Sequence, residues 1–535
     1  MAESGRQSTA LMGVVCLAAA VAPYAYGVLH SPGFGYLGDQ PVHLELSRAF
    51  AEAMASGEIP PSWAASLSGG RGGPAFVLYP PLFFTLTWLC SLAAPNMTAA
   101  LGLALVLSVA WLFAATYYLA RAELSPRRSL LAATLVPLLP GVVLIGWGRG
   151  LLPNFLALGW MAFLFGAALR TALEPAAWRH RGALFLACCG LTLTHALSSV
   201  MALVFGLLCL PILAKQAGRK GLATVAGSAF AAAAATVWFW VPLMRASGLA
   251  QTPYLAQSHP YEQSLWLRPP SAPDAYSQTW EGLNDFGLIV AGLQFALVAV
   301  ILLAGYRQTK TQVVRCLPWV AGFVALASVY PVGAWLARAP GLALMQFSWR
   351  WQGPLAILCA VALAGLPRKR MQAPAVVAML LALGFLPFFR GSDALPADVA
   401  ELSPRPLSEQ EYAEVGPRQR ALYTGNLIEM RPLGSPRLRY PPADAGSIEV
   451  VAGNAEIEAA SVEQAERVYR IRADGPATLR LQTFAFPGWT AEWQGKPAPI
   501  RVESDTGLQL VDVPAGEGEL RLAFSRWALL LEPVH

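Results

Sequence analysis

Apolar runs recur along the first 390 of the 535 residues, at 10–29, 98–120, 130–147, 153–171, 182–194, 196–214, 221–243, 286–305, 316–336, 353–366 and 373–389. Most are long enough to cross the hydrocarbon of a bilayer, which takes about 20 residues of helix. Eleven such runs fit no soluble core. Only 13% of the residues are charged, against about 25% in an ordinary soluble domain. The pattern excludes a soluble enzyme and predicts a polytopic α-helical membrane protein with about eleven transmembrane helices.

Charge divides the chain again. Residues 1–390 carry net +13 and residues 391–535 net −7, so the tail reads as a separate, water-facing domain. The segment 76–94 is apolar but contains Pro80-Pro81, and whether it crosses decides the topology. If it does not, the clusters Arg121/Arg127/Arg128, Arg170/Arg179/Arg181, Lys215/Arg219/Lys220, Arg307/Lys310/Arg315 and Arg368/Lys369/Arg370 share one face with Arg6. The positive-inside rule selects that arrangement. It places the N-terminus in the cytoplasm and the tail outside, as expected of a multi-pass protein of the inner (plasma) membrane. The 10–29 run, with Pro23 near any cut site, reads as a retained anchor rather than a cleaved leader.

The domain expectation is a transmembrane domain over 1–390, with a first outer loop at 30–97 and a second at 244–285. An irregular linker over 391–446 and an extracytoplasmic antiparallel β-sandwich over 447–535 follow. Short alternating runs such as 468–472, 479–481, 508–510 and 520–524, separated by turn signals such as Asp474-Gly475 and Pro487-Gly488, carry the strand assignment. All seven cysteines lie in apolar stretches and none in the tail, so neither a disulfide framework nor a zinc spacing is present. The basic residues lie between apolar runs, which gives no nucleic-acid signal.

The outer face then holds eight of the eleven acids of residues 1–390: Asp39, Glu45, Glu52, Glu58, Glu262, Asp274, Glu281 and Asp285. Function is expected there, on long loops. Asp39, His43 and Ser47 are spaced by four, so a carboxylate and an imidazole fall one turn apart. That pair suits a general base with an orienting partner, two ligands of a divalent metal, or a helix cap with no chemistry. His195 is a lone ionisable group among apolar residues, either a functional group or an imidazole satisfied by Thr194, Ser198 or a backbone carbonyl. Arg149 and Arg350 lie at outer ends of spans, where a guanidinium fork fits a lipid phosphate or snorkels to headgroups.

Gly38-Asp39 with His43, Trp63, Gly73-Pro74 through Tyr79-Pro80-Pro81-Leu82, His195, and Gln346-Phe347-Ser348-Trp349-Arg350 resemble bacterial membrane proteins of the GT-C glycosyltransferase superfamily. Within it, the chain most resembles the 6-pyruvoyl-tetrahydropterin synthase-related membrane protein group. Phe486-Pro487-Gly488-Trp489 in the tail resembles that group's outer β domain. The resemblance implies inverting transfer of a sugar from a polyprenyl-phosphate carrier to a glycan, lipid or protein acceptor at the extracytoplasmic face.

Under that reading Asp39 is the base and His43 orients it or touches substrate. Arg350, helped by Arg149 or Arg268, receives the lipid phosphate, and His195 lines the cavity floor. Trp63, Tyr79 and Trp266 stack on sugar faces, with Glu262 also at the substrate. No cofactor is implied firmly. Many GT-C enzymes carry a second-loop acid, whereas Gly148–Asn154 here has none, which weakens a divalent-metal mechanism. The alternative is a non-catalytic GT-C-like protein that binds lipid-linked glycans in envelope polysaccharide assembly or export. A secondary transporter would need repeated halves and broken mid-membrane helices, which the sequence does not show.

Overall fold

The computed structural model describes residues 2–30, 39–250, 261–267, 275–304, 312–339, 347–385 and 446–531, with Leu342, Met345 and Phe389. The chain divides into two compact units. One comprises Met1–Gln40, Ala94–Thr236 and Ala256–Pro406; the other comprises Pro41–Ala93, Val237–Leu255 and Leu407–His535. The first is a helical body and the second contains a C-terminal β-sheet region.

In the helical unit, five helices among the described residues are long and apolar enough to cross a membrane: Thr9–His30, Met97–Ala120, Leu152–Leu173, Ala196–Ala235 and Phe286–Leu303. Six result if the pair Pro126–Leu138 and Pro140–Gly148, bent by 48°, forms one span. Other expected runs form shorter helices, such as Gln312–Ala327, with Pro318 inside it, and Gln352–Gly365. Met97–Ala120 shows how one span is specified. Asn96 Oδ1 accepts from Ala99 N at 2.8 Å to cap it, and 24 residues rise about 36 Å, enough to span the core.

The bend between the paired helices follows from Pro140, which cannot donate to the preceding turn. The second limb ends in a π-helical turn, Leu144–Gly148. His195 breaks the next long stretch. Its backbone is extended, and its ring accepts from Ser198 N at 3.2 Å to cap the helix that begins at Ala196. Gly218, at φ 60°, kinks that helix further on.

Among the described residues the second unit contains nine strands in two antiparallel sheets, in the orders β1-β4-β8-β7 and β2-β3-β9-β5-β6. They are β1 Ile448–Ala452, β2 Ala455–Val462, β3 Glu466–Ala473, β4 Ala477–Phe484, β5 Trp489–Trp493, β6 Lys496–Ala498, β7 Ile500–Val502, β8 Leu508–Val513 and β9 Gly516–Phe524. The alternation read from the sequence puts Tyr469, Ile471, Leu520 and Leu522 of one sheet, and Leu479, Leu481 and Val511 of the other, into one buried cluster. Gln494-Gly495 makes the β5–β6 hairpin with both residues at positive φ, as a two-residue turn requires. The same cluster includes Trp63, Ala65 and Val77 from the Pro41–Ala93 segment. In that segment Leu82–Ser91 is a ten-residue helix of about 15 Å, half the thickness of a bilayer.

Candidate functional site

Three sequence-distant residues converge in the helical unit. The π-helical turn closes with Arg149 N donating to Leu144 O at 2.8 Å, and Gly150, at φ 61°, turns the chain out of it. Such turns recur at functional sites. Here the turn is packed from behind by Phe155 against Gly146. Arg149 is thereby presented on rigid backbone, and its own carbonyl accepts from Asp39 N at 2.9 Å. That bond places the aspartate beside the arginine.

Arg350 arrives on the 3-10 turn Ser348–Trp351. Ser348 N donates to Ser264 Oγ at 2.7 Å, and Ser348 Oγ donates to Ser264 O. Trp351 Nε1 donates to Tyr261 Oη at 3.1 Å, and that hydroxyl donates onward to Ala327 O at 2.8 Å. The turn is therefore tied to two other chain segments.

Aromatic rings space the two cations. The Arg149 guanidinium lies 5.0 Å from the Trp349 ring centroid and 5.8 Å from that of Phe347, and Arg350 lies 5.5 Å from Phe347. Phe347 and Trp349 stack with centroids 4.9 Å apart. Cation–π contacts of this kind contribute about 0.5–2 kcal/mol each and, more usefully, hold a guanidinium in one plane. Trp349 is wedged by Gly287, where an added Cβ would stand 2.5 Å from its ring. In the sequence the only sign of this role for Phe347 and Trp349 is that Arg350 lies between two tryptophans.

The electrostatics follow from burial. Asp39 keeps part of its surface accessible, yet desolvation is the largest influence on its carboxyl and raises its pKa, opposed by Arg350 and then Arg149. Burial pushes Arg149 down to about 10, with Asp39 opposing and Arg350 reinforcing the shift. The group is thus one carboxyl between two guanidinium ions. Among the described residues the group offers one anionic donor with two guanidinium ions beside it, which does not fit a divalent cation. Residues 31–38 add no carboxylate, imidazole or thiol, and no group of three His, Cys, Asp or Glu suits a metal among the described residues.

His43 belongs to the second unit, where its ring faces Phe83 at 6.0 Å, Tyr79 at 6.5 Å and Phe84 at 6.5 Å. Trp63 requires a correction. It is fully buried, packed on Trp489 and Phe524 at 5.2 and 4.9 Å, so it is a core residue with no ring face open to a sugar. Tyr79 remains half-buried beside Phe84.

In the helical unit, half-buried Trp266 packs on Phe295 at 5.6 Å, with its backbone bonded to Ser328 and Tyr330. His195 Nδ1 is 2.8 Å from Ser198 Oγ and 3.3 Å from Asn154 Nδ2. The Ser198 contact expected of a satisfied imidazole is thus present. Arg268 and the Glu262 side chain lie outside the described residues.

No family model matches the chain, and no curated protein matches it. Among solved structures it is similar to the Archaeoglobus fulgidus oligosaccharyltransferase in the apo form, with 12% identity and a TM-score of 0.44 over 81% of this chain and 61% of that one. It is also similar to the archaeal oligosaccharyltransferase AglB from Archaeoglobus fulgidus in complex with an inhibitory peptide and a dolichol-phosphate, with 14% identity, a TM-score of 0.40 and the same coverage. A third is ArnT from Cupriavidus metallidurans bound to undecaprenyl phosphate, with 12% identity and a TM-score of 0.36 over 78% of this chain and 77% of that one. The chain spans about three-fifths of the length of the two oligosaccharyltransferase chains.

Proposed function

We propose that the chain is an inverting glycosyltransferase that takes a sugar from a polyprenyl-phosphate carrier at the extracytoplasmic membrane face. The observation that carries this reading is the convergence of partly accessible Asp39 with buried Arg149 and Arg350. Asp39 takes the proton of an acceptor hydroxyl as its oxygen forms a bond to the anomeric carbon. The bond from that carbon to the carrier phosphate breaks on the opposite side, and the leaving phosphate carries away the electron pair. Arg149 and Arg350 neutralise the charge that develops there, and low dielectric strengthens both contacts.

The non-catalytic alternative is favoured by one feature, the acid-free stretch Gly148–Asn154. Transfer assays in lipid with a panel of radiolabelled polyprenyl-phosphate sugars and a broad acceptor set separate the two readings. Turnover supports the enzyme, and carrier binding without turnover supports the binding factor.

The aromatic wedge yields a prediction of its own. Gly287→Ala improves intrinsic helix propensity by about 1 kcal/mol, yet its Cβ drives the Trp349 ring off Arg149. Displacing that buried ring costs about 1–3 kcal/mol, so we expect equal or modestly lower thermal stability with about tenfold weaker undecaprenyl-phosphate binding, a loss of about 1.4 kcal/mol. Unaltered binding would show that Trp349 does not set the position of Arg149.

A further inference from the structure

The β strands and the Pro41–Ala93 segment share more than a core. Ala65 N donates to Gln464 Oε1 at 2.9 Å, and Phe484 N donates to Arg71 O at 3.1 Å. The strongest link comes from the short helix Arg526–Leu531. Arg526 is 4% exposed and donates through Nη2 to the carbonyls of Pro61 and Phe76, the latter at 3.1 Å. Its guanidinium lies 5.6 Å from the Trp238 ring. One cation therefore joins both ends of the stretch 61–76, which carries Trp63 and Gly72, the glycine that lies against the Trp63 ring.

Glu58 supplies the opposing charge. Its carboxylate accepts from Ser62 N at 2.7 Å and from Ser62 Oγ. Burial pushes Arg526 down to about 10 and Glu58 upward, each opposed by the other's charge. A desolvated pair of this kind adds little net stability compared with an apolar replacement, whereas leaving one partner alone is costly. Its effect is selection of one loop arrangement.

We infer that Arg526 is a positioning residue, a guanidinium clamp that, with Glu58, holds the loop stretch 58–79 in a single conformation against the β strands. The β strands then shape the loop stretch 58–79, over and above any contact with acceptor. The functional part of the inference rests on the proposed transfer reaction; the clamp itself does not.

Amide hydrogen exchange of the full chain in lipid nanodiscs tests it. Arg526→Ala should speed exchange across 61–76 by about tenfold or more while β3, β4, β8 and β9 stay protected. Arg526→Lys keeps the charge near Glu58 but lacks the planar fork and should fall between. Glu58→Gln leaves both carbonyl contacts in place and should loosen the stretch least. Unchanged exchange over 61–76 in Arg526→Ala would overturn the clamp, as would an equal loss of protection in the strands.

Transfer from the polyprenyl-phosphate sugar panel gives the second readout. Turnover should drop about tenfold in Arg526→Ala and partly recover in Arg526→Lys. Full turnover in Arg526→Ala would overturn the functional part of the inference. If the wild type transfers from no donor, the proposed function falls, while the exchange result still decides the clamp.

Discussion

Asp39→Asn lowers sugar transfer by about 10²–10⁴-fold, the usual contribution of a positioned general base, without loss of folded protein. The amide has the carboxylate's shape but cannot take the acceptor proton. Folding survives for an electrostatic reason. Desolvation raises the Asp39 pKa above its ordinary value, so ionised Asp39 opposes folding at neutral pH, and that cost appears as pH rises from the unfolded pKa through the folded one. A neutral amide removes it, so the melting temperature should hold or rise. In the wild type, turnover should increase with pH along an acid limb lying above the ordinary aspartate range, because only the ionised form is a base. Asp39→Asn with full turnover would refute the assignment.

Arg350→Ala should cost about 10²–10³-fold in turnover, the scale for removing one preorganised charge-stabilising donor, and should weaken carrier binding more than acceptor binding. A second signature is independent of affinity. Arg350 is the stronger of the two cations holding down the Asp39 pKa, so its loss should move the acid limb to still higher pH. Arg350→Lys should restore much of the limb but less of the turnover, since a point charge replaces the bidentate fork. Titration of undecaprenyl phosphate against both variants in nanodiscs, alongside pH profiles, checks these outcomes. An unchanged carrier titration in Arg350→Ala would remove Arg350 from the phosphate site.

Much of this was legible in one dimension because it depends on local periodicity. Continuous apolar runs make helices such as Met97–Ala120 and Leu152–Leu173, since in lipid each backbone polar group must be satisfied within its own segment. Period-two alternation places the runs 468–472, 479–481, 508–510 and 520–524 in β3, β4, β8 and β9. Candidate residues were legible where a charge interrupts an apolar context, as at Arg149, His195 and Arg350.

Trp63 was misread for the same reason. A tryptophan in a polar loop has the same signature whether it greets a sugar or plugs a core, and only the placement of Trp489 and Phe524 distinguishes the two. Likewise, nothing in the spacing of Asp39, Arg149 and Arg350 announces their convergence. It depends on a backbone bond between residues 110 positions apart and on serine contacts tying Ser348 to Ser264.

By itself, then, the sequence determined the solvent each segment tolerates, the helical or extended period of each run, and the residue types available for chemistry. Those properties reside in consecutive residues. Only the tertiary structure decided that one carboxyl and two guanidinium ions converge, that Phe347 and Trp349 space the cations, and that the loop stretch 58–79 is held by the C-terminal strands. These outcomes rest on burial and on contacts between distant positions, where desolvation and hydrogen-bond geometry depend on neighbours that the linear order does not name.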